Sequence, residues 1–288
     1  MNQIAAVAEP LAAPRRERWA RRTLLGLAFC GPLVLLFALL VLYPMLYMIY
    51  MGLDRLIYED IFSDPIFIQT LWNTAIFVGF AVNIKMALAL VLSALFNTES
   101  RFARILSGLF LLPWAIPSLP GILAFRWMLN GQWGIVNKIL NDLGFAGYPW
   151  LVRRPTALAA AVVYHIWKYL PFWTLIFVAG RRSIPKELYE AGEMDGTSPL
   201  QRFGYITFPM LRSLFMICSL LSMVFTLGDF VIIKIMTGGA PGDSTHVLAT
   251  LAYRYTFLMG KIDWVVGTFV TALPITLLFI FILMRWVK

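Results

Sequence analysis

His165, Lys168, Tyr169 and Phe172 recur at spacings of three and four within one apolar stretch. On a helix that spacing puts them on one face. A second apolar stretch repeats the pattern with Ser222, Phe225, Thr226 and Asp229. Facing each other, the two stripes offer aromatic rings, hydroxyls and a carboxylate. That combination suits a sugar: rings stack on its C–H faces while polar groups bond its hydroxyls. Charges inside apolar spans are costly and mark function or pairing, which brings Lys85 and Lys234 into the same set. Each aromatic taken singly also fits ordinary helix packing. Asp229 also fits an ion pair with Lys168 or Lys234, and Lys85 fits structural pairing or snorkelling. His165 alone says little.

Such stripes need a lipid-embedded frame. Of 288 residues, 60% are hydrophobic and only 14% charged, with a mean hydropathy of +0.77; soluble domains carry about 25% charged residues. Six apolar runs, at about 23–51, 70–96, 105–129, 156–180, 210–236 and 261–287, reach the ~20 residues that cross a bilayer. Lipid demands that backbone hydrogen bonds close internally, so the runs predict helices. The expected fold is an all-α membrane protein with six transmembrane helices. Residues 1–22 form a cytoplasmic basic segment with five arginines. The run after it is too long for a signal-peptide core and predicts a retained first span.

With both termini in the cytoplasm, twice as many Lys and Arg fall inside as outside, as the positive-inside rule asks. The net charge of +9 is spread over short loops rather than gathered on a polar face, which argues against nucleic acid as a partner. Cys30 and Cys218 both lie in apolar runs, where they predict small packing residues rather than a disulfide framework.

One polar segment interrupts this pattern: residues 184–209, IPKELYEAGEMDGTSPLQRFGYITFP. It predicts a short helix, a glycine turn and a second short helix. Pro185 can open the first helix. Glu187 and Glu190 sit where the helix dipole favours acids, and Gly196 ends it. The segment is either a docking element that exposes Glu190 or a solvated loop.

The order Glu190-Ala191-Gly192, Gly196, Ile206 and Phe208-Pro209 resembles, at every spacing, the EAA loop of binding-protein-dependent ABC importer permeases. Gly192, Thr197 and Phe208 depart from that pattern with small or apolar residues. Further segments are similar to the family: Asn73-Thr74, Leu112 to Pro117, Trp133 to Asn137, Pro149 to Leu151, and Thr237 to Pro241. The last of these resembles the turn of the maltose F-type subunit in the carbohydrate-uptake branch.

The resemblance implies a type I ABC importer transmembrane domain over 23–288, in the bacterial inner membrane. It implies ATPase coupling through Glu187, Glu190, Ala191, Gly192, Asp195 and Gly196, with Glu190 entering a cleft in a cytoplasmic ATPase. It places Tyr169, Phe172, Ser222, Phe225, Thr226 and Asp229 at sugar-contacting positions, with several residue types changed. The implied partners are a maltose G-type second permease, an ATPase dimer, a soluble substrate-binding protein, lipid and a sugar-like solute.

The chain lacks a P-loop, since the Gly-rich stretch 238–245 has no Lys. ATP and Mg would therefore sit on the partner ATPases, with no cofactor, metal or catalytic residue on this chain. H-E-x-x-H, G-x-S-x-G and paired-Cys motifs are also missing, which argues against a membrane-embedded enzyme. The alternative is an ion-coupled secondary carrier in which Lys168 and Asp229 relay protons. Such carriers show internal repeats and broken helices, and the sequence signals neither. Monosaccharides, oligosaccharides, polyols, sugar phosphates and sulfo-sugars all fit as solute.

Overall fold

Proline and glycine decide where this chain bends. The computed structural model describes residues 15–97 and 100–286. Positions 1–14, 98, 99, 287 and 288 lie outside the described residues. With them go the first part of the basic segment and the end of the last expected span. The chain divides into two units, Met1–Asp54 and Arg55–Lys288.

In the first unit α1 (Arg15–Phe37) passes through a π-helical turn, Ala38–Leu42, into α2 (Tyr43–Met51). Pro44 follows directly, and a widened turn accommodates the carbonyl that its ring would otherwise meet. Helix α1 begins at Arg15, so the arginines expected in a polar tail from 15 to 22 form helical turns. Ala28–Met51 is long and apolar enough to cross a membrane, and its side chains are uncovered.

The second unit contains α3 (Arg55–Ser63), α4 (Pro65–Leu95), α5 (Arg101–Phe110), α6 (Leu112–Ala115), α7 (Ser118–Met128), α8 (Ile135–Asp142) and α9 (Arg154–Arg182). There follow α10 (Lys186–Met194), α11 (Pro199–Arg202), α12 (Phe208–Leu227), α13 (Val231–Met236), α14 (Leu248–Tyr253) and α15 (Ile262–Trp286). Among the described residues there is no strand.

Helix α4 starts at Pro65, five residues before the expected span. Asp64 accepts the Ile66 N–H at 2.9 Å, and Pro65 has no N–H to satisfy. Helix α3 falls between the first two expected spans. It turns Ile57 and Ile61 inward, and a Cβ on Gly267 of α15 would come within 2.5 Å of Ile61. Only a glycine lets these two helices approach so closely.

Two of the expected spans are not single helices. The run 105–129 folds as Ile105–Ala115 and Ser118–Met128, bent by 92°. Pro117 forces the bend. The residue before a proline is pushed out of the helical region, and Ile116 and Pro117 take ψ 131 and 142. The run 210–236 stops at Gly228 and resumes as α13. Phe230 is the N-cap of the new helix, and Asp229 just before it accepts the Ile232 N–H at 3.2 Å.

Among the described residues, four helices are long and apolar enough to cross a membrane, or five if the bent pair counts as one; α15 contributes a shorter apolar stretch, Ile262–Leu278. The all-helical membrane fold therefore holds.

The core sits where α4 packs on α9, with α12 against both. Ala81 and Ala89 of α4 and Ala160 and Ala161 of α9 are buried there. Small side chains let helix backbones close on each other where lipid supplies no hydrophobic drive. A second cluster joins Ile57, Ile61, Phe67, Leu251, Tyr255 and Trp264.

Candidate functional site

The two breaks converge on one cavity. It has a volume of about 470 Å³ and is bounded by α4, α9, the end of α6 and the gap between α12 and α13. Of the residues expected at a solute site, His165, Tyr169, Phe172, Phe225 and Asp229 line it. Trp114 of α6 stacks on Phe172, with centroids 5.8 Å apart and planes at 17°. The His165 ring lies 4.7 Å from Tyr169 and meets Phe77 edge-on at 5.4 Å.

A polar row crosses the cavity. Lys85 Nζ is 3.4 Å from His165 Nδ1 and 5.6 Å above the Tyr169 ring. His165 Nε2 is 3.8 Å from Asp229 Oδ2. Lys85 is only 1% exposed, so its ammonium is held in the wall rather than snorkelled to water. Neither Lys168 nor Lys234 pairs with Asp229: Lys234 lies 4.5 Å over the Tyr253 ring.

Three expected site residues are not among those lining the cavity. Ser222 and Thr226 are buried on α12, and Thr226 donates to the Ser222 carbonyl at 2.6 Å. Helix α12 ends before the stripe reaches Asp229, so the predicted continuous face is split. Lys168 turns elsewhere. Its ammonium donates to the carbonyls of Pro113 at 3.0 Å, Trp114 at 3.1 Å and Ile116. These are the acceptors that the bend at Pro117 removes from the helical ladder, and in a low-dielectric interior they need a donor. Lys168 thus clamps the broken helix whose Trp114 forms a cavity wall.

The segment 184–209 is a closed hairpin. Helix α10 is capped by Pro185 and ends at Asp195. Gly196 takes φ +69, while its N–H reaches Glu193 O and the Thr197 N–H reaches Gly192 O, both at 3.0 Å. That pair of bonds is a Schellman motif, which needs a left-handed residue at its turn. Ser198 and Gln201 then form a capping box on α11.

Arg202 pairs with Glu193, and Tyr189 bonds Thr207 at 2.9 Å, so the two arms are joined. Gly192 is buried between them, where a Cβ would lie 3.1 Å from Thr197 Oγ1 and 3.2 Å from Ile206 Cδ1. Its glycine serves the packing of the arms. Glu187, Glu190, Ala191 and Asp195 remain exposed. A π-helical turn, Phe203–Thr207, joins the hairpin to α12. Beside it the buried Arg181 donates to Ser93 Oγ at 2.6 Å and Leu90 O at 3.1 Å, and lies 5.7 Å over Phe203.

At the other end of the second unit, Asn73 ties three segments together. Its amide donates to Ser244 O and His246 O, both at 2.8 Å, and its oxygen accepts two bonds from Arg154. Thr74 accepts the Leu248 N–H at 3.0 Å. Asp243 is paired with Arg254 and His246. Burial works against its charge, yet hydrogen bonds from those two partners hold its carboxyl below the ordinary carboxylate range. Gly239 stands at φ +95, and a Cβ there would meet the His246 ring at 2.3 Å.

Residues 85–288 match the model of the binding-protein-dependent transport system inner membrane component. The chain belongs to this family. The permease is 32% identical over 259 residues to the sulfoquinovosyl glycerol transport system permease protein SmoG of Agrobacterium fabrum, covering 84% of each chain. It is 32% identical over 224 residues to the trehalose/maltose transport system permease protein MalF of Thermococcus litoralis, covering 78% of this chain and 75% of that one. Its fold matches a chain of a bacterial ABC transporter that imports alginate, with a TM-score of 0.84, 18% identity, and coverage of 95% and 98%. The resemblance read from the EAA-like spacing and the family found by comparison agree. The family is an inner-membrane one, as expected.

Sequence reasoning missed four residues of the permease that matter here. Lys85 was assigned to pairing or snorkelling because a lone Lys in a span does not say what it faces. Trp114 enters the wall only through the bend at Pro117. Asn73 and Arg154 meet across 81 positions. For Lys85 the available signal was its lack of any acid one helical turn away on α4.

Proposed function

We propose that this permease is one transmembrane half of an ATP-driven importer for a sugar or sugar derivative, with six membrane helices and both ends in the cytoplasm. A second permease completes the pathway, an ATPase dimer binds ATP and Mg, and a soluble binding protein delivers the solute. The observation that carries this reading is the cavity itself. Aromatic faces and a buried donor–acceptor row stand together at two helix breaks, while a rigid hairpin exposes Glu190 as a handle. Sites for small polar ligands have this make-up: mostly apolar walls with a few placed polar groups. The sugar-linked names of relatives at 32% identity support the solute class.

The hairpin would pass the closing motion of the ATPases through the π-helical turn into α12. That motion would shift α12 against α9 and alter the cavity wall at Asp229. The ion-coupled alternative gains no support: Lys168 is engaged with carbonyls and is not poised to exchange a proton with Asp229.

The test is reconstitution of the chain with its partner permease, ATPases and binding protein in liposomes. Uptake of labelled maltose, trehalose or xylose should require internal ATP and be indifferent to an imposed proton gradient. Uptake driven by the gradient without ATP would overturn the proposal.

A further inference from the structure

The polar row crossing the cavity has a direction. With Lys85 carrying its charge it has no lone pair, and the contact at 3.4 Å then makes His165 Nδ1 the acceptor and Lys85 the donor. A neutral imidazole that accepts at Nδ1 carries its proton on Nε2. That N–H faces Asp229 Oδ2 across 3.8 Å, beyond hydrogen-bond reach. Asp229 Oδ1 accepts the Ile232 N–H, and the carboxylate takes a further backbone hydrogen bond from Val231. A donor and a carboxylate acceptor therefore stand side by side in the cavity wall without bonding each other. Both are nearly sealed from water: the His165 side chain is 2% exposed and that of Asp229 9%. Both residues line the cavity, so a solute held there can reach them together.

The chemistry that satisfies both is narrow. A hydroxyl accepts from the Nε2–H and donates to Oδ2 at the same time. A carboxylate, sulfonate or phosphate oxygen only accepts, and would meet Asp229 as a like charge in a low-dielectric wall. The lining holds one ammonium and one carboxylate, so it has no excess charge with which to attract an anion. Lys168 lies nearby, but its ammonium is engaged by three carbonyls.

We infer that His165 and Asp229 together read one neutral hydroxyl of the solute, and that Lys85 is the positioning residue that sets the His165 tautomer and balances Asp229. An acidic group is barred from this point of the cavity, and any charge on the solute lies elsewhere. This deepens the sugar-importer reading and rests on it.

The experiment uses the complete reconstituted transporter at saturating binding protein. Its probes are labelled maltose, xylose, glucuronate and galacturonate. The quantity read is the ratio of neutral to uronate uptake, with basal ATPase activity reporting assembly. Asp229→Asn keeps an oxygen for the Ile232 N–H but adds a donor and removes the charge. It should lower the ratio about tenfold, the equivalent of one discriminating polar contact.

Lys85→Gln can still donate to Nδ1 and should retain more neutral uptake than Lys85→Met, which frees the tautomer. His165→Gln should keep more than His165→Ala. An unchanged ratio in Asp229→Asn, or equal uptake by Lys85→Gln and Lys85→Met, would overturn the inference and leave the importer reading intact. If wild-type uptake of the probes runs on a proton gradient without ATP, the importer reading itself falls and takes the inference with it.

Discussion

The hairpin over residues 184–209 and the cavity between the helices are built on opposite plans. Every bond that closes the hairpin joins residues no more than 18 positions apart. The cavity assembles Lys85, Trp114, His165 and Asp229 from four separate stretches of chain. A unit held by local bonds keeps its shape when its surroundings move. A cavity shared among helices changes whenever one of them shifts. The difference suits a device in which a stiff handle outside the membrane reshapes a soft site within it.

The largest effect should come from attacking the handle. Glu190→Lys leaves the fold untouched, since an exposed position away from caps and cores usually changes stability by less than about 0.5 kcal/mol. ATP-dependent uptake should nevertheless drop to background, and ATPase subunits should bind about thirtyfold more weakly, the scale of one interface anchor. Normal uptake by this variant would break the comparison at its first term.

Next comes the soft site. Asp229→Ala removes the acceptor of the Ile232 N–H and the carboxylate of the polar row. Uptake should fall about a hundredfold while the complex still assembles, because a site built to bond a hydroxyl loses far more than packing. Wild-type transport by this variant would remove Asp229 from the site.

Lys168→Met sharpens the boundary between wall and support. Three carbonyls lose their donor, so thermal stability in detergent should drop by about 2 kcal/mol or more. Loss of transport with stability unchanged would return Lys168 to the solute site.

The smallest effect should be Gly196→Ala. A Cβ meets nothing there, so only the left-handed φ of +69 opposes it. The cost should be about 1 kcal/mol of local order. It should be visible as faster amide exchange in residues 193–198, with uptake reduced less than twofold.

The hairpin was legible in the sequence nearly residue by residue. Pro185, Gly196 and Ser198 act through rules that reach no further than the next turn. Pro185 caps the first helix rather than opening it, and Gly192 proved to be a packing residue; neither alters the hairpin. The cavity was legible only in part. The helical periodicity of 165–172 put His165, Tyr169 and Phe172 on one face, and all three line the cavity because α9 runs unbroken through them. The second stripe is divided: Phe225 and Asp229 line the cavity while Ser222 and Thr226 do not, and α12 stops at Leu227 before Asp229. Lys168 is absent from the lining too, since its partners are carbonyls that exist as free acceptors only once Pro117 has bent the chain.

Composition and periodicity by themselves determined a helical protein of the membrane, and the spacing around Glu190 determined its family. Both follow from short-range causes: what a segment must bury, and how a turn of helix is capped. Tertiary structure alone decided that a lysine in the middle of α4 would face a histidine 80 positions later. It also decided that a proline bend would supply one wall and a glycine break the carboxylate. Those facts depend on which helices meet and at what height, and no local pattern of residue types carries that information.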